Sequence, residues 1–392
     1  MTSVIVQTQH RILSVLVAAQ VLSGVGLAAG VAVGALLAQD MLGSTSLVGL
    51  SSAVSTAGAA LAAVAVGRIS QAHGRRPGLA AGYLTGAVGS AGVVAAAVVD
   101  SPAMLLLAMF VYGAGMATNL QARYAGADLA TPTRRARAVS TVLVATTLGG
   151  MVGPNLAALT SGLTEALGIP RLAGPFVLAG CAYAMATLIL TAWLRPDPLL
   201  LARTEEAPPA VEGHGSGVLF GTLVMAVTQL IMVAIMTMTP VHMHDHGHDT
   251  AASGFVIAIH IGAMYLPSPL TGWLVDRHGP RTIAAASGLT LLIAGIVAAT
   301  APIDSIPQYT VALGLLGLGW NFGLVAGTAI ITDAAPLATR AKVQGTVDVS
   351  IAIAGAAGGM ASGLVVTAAS YPFLAISGGI LALAVVPAAR KQ

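Results

Sequence analysis

The stretch GRISQAHGRR, Gly67 to Arg76, returns 205 residues later as GWLVDRHGPR, Gly272 to Arg281. The same offset pairs His73 with His278, Gly74 with Gly279, Asp40 with Asp245, Gly49 with Gly254, Asp128 with Asp333 and Arg135 with Arg340. One ungapped register across much of each half argues that a single unit was duplicated. Between the copies, Arg195 to Gly217 holds RPDP and TEEAPPAVEGHGSG, a Pro-, Gly- and acid-rich run expected to be a flexible linker. The chain therefore divides into a bundle over 1–194, a linker over 195–216 and a second bundle over 217–392.

Composition says what surrounds these bundles. Apolar residues make up 56 % of the chain and charged residues 8 %, where a soluble domain carries about 25 %. The main solvent must be lipid. The formal charge of +3 does not call for nucleic acid, because the basic residues sit in short clusters between apolar runs. A single cysteine, Cys181, rules out a disulfide framework or a thiolate metal centre within one chain.

A membrane helix needs ~20 apolar residues. Apolar runs predict helices over 12–37, 47–67, 78–98, 103–127, 139–163, 172–194, 217–240, 251–274, 283–301, 307–331, 343–367 and 372–389. Backbone groups cannot go unpaired in lipid, so these runs are helices and the fold class is all-α with twelve transmembrane helices. The first run lacks a convincing processing site and is expected to be a span, not a signal peptide. Twelve spans put both termini on one side. Of seventeen basic residues, fifteen fall on that side, Arg171 falls opposite and Arg123 lies inside a span. Positive charge stays inside, so both termini are expected to be cytoplasmic, in a cell (inner) membrane.

Two motifs carry a family resemblance. The loop from Gly67 to Arg76 resembles the G-x-x-x-D-R-x-G-R-R signature of the major facilitator superfamily, and the second copy keeps Asp276, Arg277 and Gly279. Gln71 and Ala72 depart from it in the first copy, standing where the acid and the first arginine belong. The fifth helix carries GGMVGPNLAA from Gly149 to Ala158, similar to that family's antiporter signature, with its last two glycines replaced by alanine. Gly149 and Gly153 let helices approach closely, and Pro154 removes a backbone bond and bends the helix. Ordinary small-residue packing would look the same. The family's arginine early in the fourth helix is missing, with Met109 near its place.

The resemblance implies two pseudo-symmetric six-helix bundles that alternate access to a midplane site. It also implies cytoplasmic latches from Gly67, Gln71, Gly74, Arg75, Arg76, Asp276, Arg277, Gly279 and Arg281. The neighbouring connections would add Asp128 with Arg134, Arg135 and Arg137, and Asp333 with Arg340 and Lys342.

Charges in hydrocarbon cost ~2.5–3.5 kcal/mol on insertion scales, so those inside spans are functional candidates. Tyr112, Met116, Asn119 and Arg123 form one stripe on the fourth helix. Asp348 lies near the same end of the eleventh helix, and its repeat mate is Leu143, so the duplication did not dictate an acid there. Arg123 and Asp348 lie at similar depth and are expected to pair when the cytoplasmic side closes, protonation of Asp348 loosening that closure. The alternatives are an Arg123 that snorkels to headgroups and an Asp348 that only favours its helix dipole. His260, near the middle of the eighth helix, is a candidate proton relay or a hydrogen-bonded packing residue. Gln20, Asn155, Gln229, Tyr265, Trp320 and Asn321 complete the polar and aromatic groups that could line a largely apolar cavity.

After the seventh helix comes VHMHDHGHD, in which His242, His244, His246 and His248 alternate beside Asp245 and Asp249. Such a run could hold zinc, copper or nickel, or could be a polar outer loop; alternation suits an extended or irregular segment better than one helix face. The leading expectation is a proton-coupled antiporter for multidrug efflux of small hydrophobic or amphiphilic compounds. It would use protons as coupling ion, need no cofactor and no nucleic acid, and work as a monomer in the bilayer. The rivals are a transporter dedicated to one aromatic or anionic metabolite and a metal-responsive membrane sensor. An enzyme is not expected, since no nucleotide loop or nucleophile-and-base pattern occurs.

Overall fold

A computed structural model describes residues 3–42, 48–166, 168–205 and 215–386. The side chains of 3–5, 28–32, 35, 36, 42, 48, 49, 152–163, 165, 205 and 250 lie outside that description. In chain order the helices are α1 (Ser3–Leu42), α2 (Val48–His73), α3 (Arg75–Val98), α4 (Pro102–Ala127), α5 (Arg135–Ala166), α6 (Gly174–Trp193) and α7 (Pro198–Glu205). They continue with α8 (Gly215–Asp245), α9 (Thr250–Tyr265), α10 (Ser268–His278), α11 (Pro280–Ala299), α12 (Ile306–Ala334), α13 (Arg340–Ala368) and α14 (Tyr371–Ala382). Among the described residues, ten helical stretches are long and apolar enough to cross a membrane; α5 and the shorter α14 complete the twelve-span, all-α architecture.

Helix starts are written in the sequence. Ser101, Asp249, Ser305 and Ser370 each accept a hydrogen bond from the backbone N–H three residues on, capping α4, α9, α12 and α14. Pro102, Pro307 and Pro372 follow three of those caps, where the missing N–H costs nothing. The faces are arranged for lipid: Leu61, Leu107, Leu219 and Leu364 are exposed, while Arg75, Arg123 and Tyr83 are buried.

Two expectations change. The eighth span, predicted as one helix, is broken at Pro267 into α9 and α10, because proline cannot donate into the helical ladder. Asn321 of α12 repairs the break: its amide donates to Met264 O and Ser268 Oγ, both at 2.7 Å, and its oxygen accepts from Thr271 Oγ1. The stretch expected to be a flexible linker contains α7. Asp197 accepts from the backbone N–H of Leu199 and Leu200, and Leu199 is fully buried. Residues 206–214 lie outside the described set.

The chain clusters into two compact units. One comprises Met1–Ala130, Thr141–Val211 and Pro336–Ala352; the other comprises Thr131–Ser140, Glu212–Ala335 and Ile353–Gln392. Each unit thus includes a short segment of the other sequence half. The core of the first is aromatic: Tyr83 stacks on Tyr183 with ring centroids 5.8 Å apart, and Tyr112 meets Phe176 edge-on at 5.4 Å. In the second, α12 is the most enclosed helix, packed by α8, α9 and α11.

Candidate functional site

Within the first unit, α4 brings Arg123 and Tyr124 against Asp348 of α13. Arg123 Nη2 lies 2.8 Å from Asp348 Oδ1 and donates as well to the Tyr124 hydroxyl at 2.8 Å. Tyr124 O–H in turn donates to Asp348 Oδ1 at 3.2 Å. Its ring lies 4.1 Å from the guanidinium carbon, a cation–π contact. A further guanidinium nitrogen, Nη1, donates to Leu120 O. All three side chains are buried, with Arg123 at 0 % and Asp348 at 5 % exposure. Asp348 Oδ2 has no hydrogen-bond partner among the described residues, and the neighbouring Gln121 amide donates to Ala63 O. Repeat symmetry offers no counterpart, since Thr328, Ala329 and Leu143 stand at the equivalent positions.

A buried ion pair of this kind recovers its desolvation cost only with supporting hydrogen bonds; losing one partner leaves a bare charge at a cost of about 3–5 kcal/mol. Here Arg123 is well supported and Asp348 only on one oxygen. A proton placed on Asp348 removes the negative partner without leaving a bare carboxylate.

The remaining polar candidates separate by unit. In the first, Gln20 donates to Asn119 O and Thr146 Oγ1 at 3.0 Å, accepts from Tyr83 O–H at 2.5 Å, and Asn119 donates to Ser23 Oγ at 2.7 Å. Tyr112 O–H donates to Gly26 O. These groups are buried and satisfy one another, so Gln20, Tyr112 and Asn119 tie α1 to α3, α4 and α5. The expected stripe on α4 is therefore divided: its upper members hold the bundle and only Arg123 reaches another charge. Gly149 packs on α1, where an added Cβ would collide with Val21 O and meet Gly24, so close helix approach decides that glycine. The side chains at Gly153, Pro154 and Asn155 lie outside the described residues.

In the second unit, Trp320 Nε1 donates to Gln229 Oε1 at 2.7 Å and Tyr265 meets the indole edge-on at 5.6 Å. Trp320 is 5 % exposed, whereas Gln229 and Tyr265 are half-buried. All three sit midway along their spans. Asn321 serves the α9–α10 break. His260 is fully buried; Nδ1 donates to Leu313 O at 2.9 Å and Nε2 has no partner among the described residues.

The repeat loops hold helix starts. Gln71 Oε1 accepts from the backbone N–H of Ala341 and Lys342 at 2.9 and 3.4 Å, while its amide donates to Ala338 O and Leu337 O. Asp276 accepts from the N–H of Ala136 and Arg137 at 3.0 and 3.2 Å and from Arg137 Nε at 3.0 Å. The position that departs from the signature thus still caps a helix. Gly74 and Gly279 close the two loops at φ 98° and 86°, a backbone region that excludes most side chains. Arg75 pairs with Asp128 at 2.7 Å and donates to Gln344 Oε1 at 2.5 Å; Arg76 N donates to Asp197 Oδ2. Gly67 is buried against Gly345 and Ala341 O. Arg135 pairs with Asp333, Arg277 lies over the Trp273 ring at 5.1 Å, Arg340 is buried and Arg281 half-buried.

The histidine run does not form the extended segment expected. α8 continues through Asp245, because no glycine intervenes before Gly247, whose φ of 86° ends the turn. Successive alternating residues on a helix point to opposite sides, so His242 and His244 diverge. Among the described residues no three or more His, Cys, Asp or Glu side chains gather into one cluster.

Sequence reasoning missed Tyr124, Tyr83, Thr146, Gln344 and Arg203, whose Nη2 donates to Gln71 O at 2.9 Å. Only Tyr124 left a signal, as an aromatic hydroxyl adjacent to an intramembrane arginine.

Comparison with known proteins fits this architecture. The model of the Major Facilitator Superfamily matches residues 15–267 and 218–390. The uncharacterized MFS-type transporter YdeG of Bacillus subtilis (strain 168) is 53 % identical over 389 residues, covering 96 % of this chain and 90 % of YdeG. The riboflavin transporter RfnT of Brucella anthropi is 29 % identical over 349 residues, covering 86 % and 85 %. The human organic anion transporter MFSD10 shares the fold with a TM-score of 0.79 at 16 % identity, over 97 % of this chain and 99 % of that one. With a family model along nearly its whole length and a relative more than half identical, the chain belongs to the Major Facilitator Superfamily: it is a multi-pass membrane transporter of a small-molecule substrate and not an enzyme.

Proposed function

We propose that the protein is a monomeric proton antiporter that exports small hydrophobic or amphiphilic organic compounds by alternating access, with both termini cytoplasmic in the cell (inner) membrane. The observation that carries the coupling is the buried Arg123–Tyr124–Asp348 cluster, in which one carboxylate oxygen is engaged and the other has no hydrogen-bond partner. The pair joins a helix of the first repeat to one of the second, near the basic ends of both. Protonation of Asp348 frees Arg123 and weakens that tie; deprotonation restores it. Export of apolar cargo suits a chain whose intramembrane polar groups are few and mostly occupied by one another. The basic residues serve topology, and no nucleic acid takes part.

A reconstituted vesicle with an imposed pH gradient tests this, with a panel of lipophilic cations and aromatic solutes. Wild type is expected to move at least one of them against its gradient. Asp348→Asn is expected to abolish gradient-driven movement while sparing exchange of labelled for unlabelled solute. Uptake that ignores the gradient, or an Asp348→Asn protein still driven by it, refutes proton coupling through this pair.

A second reading is favoured by one feature. Trp320, Tyr265 and Gln229 place two aromatic edges and an amide at mid-span in the second unit, which suits a dedicated planar aromatic solute. The relative named as a riboflavin transporter supports that class at 29 % identity. Saturable, competitive uptake of one aromatic metabolite with indifference to lipophilic cations would favour it over multidrug export.

A further inference from the structure

We propose that His242 and His246 form a two-imidazole site for a late first-row divalent ion, binding Cu²⁺ most tightly and Ni²⁺ and Zn²⁺ less so. Their rings lie four residues apart at the end of α8, with centroids 4.3 Å apart. Metal–nitrogen bonds of about 2.0–2.1 Å let one ion reach both after small rotations of the side chains.

The ring nitrogens are set for it. His246 Nδ1 lies 2.7 Å from His242 O; a carbonyl only accepts, so Nδ1 carries the proton and Nε2 presents a lone pair. That is the backbone-anchored tautomer through which metal-binding histidines are oriented. Neither nitrogen of His242 bonds a described residue, and its ring is held flat on Tyr371, 4.4 Å away at 15°. Tyr371 is itself fixed through its hydroxyl to Thr239 Oγ1 at 2.8 Å. The surrounding charge favours a cation: the C-terminal carbonyls of α8 point here and Asp245 is exposed beside them.

The other histidines and Asp249 are engaged or directed elsewhere. His248 Nε2 donates to Ile303 O at 2.7 Å, Asp249 caps α9 through Ala252 N, and His244 projects from the opposite side of the helix. Solvent therefore completes the coordination shell, giving micromolar rather than structural-zinc affinity. Nitrogen ligands without thiolate select ions in the order that peaks at copper. A bound ion would tie His242 in the last turn of α8 to His246 just beyond it, ahead of the Gly247 bend, independently of any transport mechanism.

The test uses the full chain, purified through a tag without histidine, titrated calorimetrically with Cu²⁺ and with Ni²⁺ at neutral pH. One ion per chain is expected. His246→Gln, at an exposed position that leaves the fold alone, and His242→Phe, which keeps the stack on Tyr371, should each weaken binding by about tenfold or more. His244→Gln should leave it unchanged. Electron paramagnetic resonance of the Cu²⁺ form should show two coupled imidazole nitrogens, falling to one in His246→Gln. No binding by the wild type, binding that survives His246→Gln, or an equal loss in His244→Gln overturns the assignment.

Discussion

The two repeat loops solve one problem with different chemistry. Each must satisfy the open N–H groups at the start of a helix, α13 for the first copy and α5 for the second. The receiving donors are themselves repeat mates, Ala341 and Lys342 in one and Ala136 and Arg137 in the other. Asp276 does this with a carboxylate that also complements the helix dipole and meets Arg137. Gln71 does it with a neutral amide, and gains two donors that a carboxylate lacks, used on Leu337 O and Ala338 O. Arg75, whose repeat mate is Pro280, is then free of any nearby acid in its own loop and is buried between Asp128 and Gln344. Duplication preserved the geometry of the cap, set by the glycine at positive φ; the charge was free to diverge.

Substitutions can break this comparison in order of size. Arg75→Leu should be the most damaging, because it leaves Asp128 buried without its charge partner. A loss of about 3–5 kcal/mol is expected, read as a large fall in the thermal unfolding midpoint in detergent. A midpoint within a degree of wild type would show that Asp128 finds another partner. Asp276→Ala and Gln71→Ala should each cost about 1–2 kcal/mol, the range for losing a helix cap. Their salt dependence should sharpen the contrast: added salt should shrink the deficit of Asp276→Ala and leave that of Gln71→Ala almost untouched. Identical salt responses would mean that charge plays no part in the second loop. Arg137→Ala should be the mildest, about 0.5 kcal/mol or less, because its side chain is 49 % exposed and the backbone N–H contacts to Asp276 remain. A loss as large as that of Asp276→Ala would make the ion pair, and not the cap, the main function of the acid.

Legibility followed the same division between pattern and partner. Spans were readable because lipid imposes a length and an apolar composition on every crossing helix. The meeting of Arg123 with Asp348 was readable because two charges at one depth in an apolar medium have few other partners. The partners of Gln20, Asn119 and Tyr112 were not legible, since a polar side chain in a span looks the same whether it faces a solute or another helix. Their hydrogen bonds reach across the bundle to Thr146, Ser23 and Gly26. The break at Pro267 was hidden for a related reason: a proline within an apolar run signals a kink or a full stop, and Asn321, more than fifty residues on, supplies the bonds that make it a stop.

The sequence by itself therefore determined an all-helical membrane protein, its duplication and the approximate bounds of its spans, because composition and periodicity answer to the solvent. Only the tertiary structure decided which polar groups satisfy one another and which oxygen of Asp348 has no partner. It alone brought Tyr124 onto both Arg123 and Asp348, and turned an alternating histidine run into one facing pair. Those outcomes depend on which helix faces pack together, a choice that one-dimensional spacing does not encode.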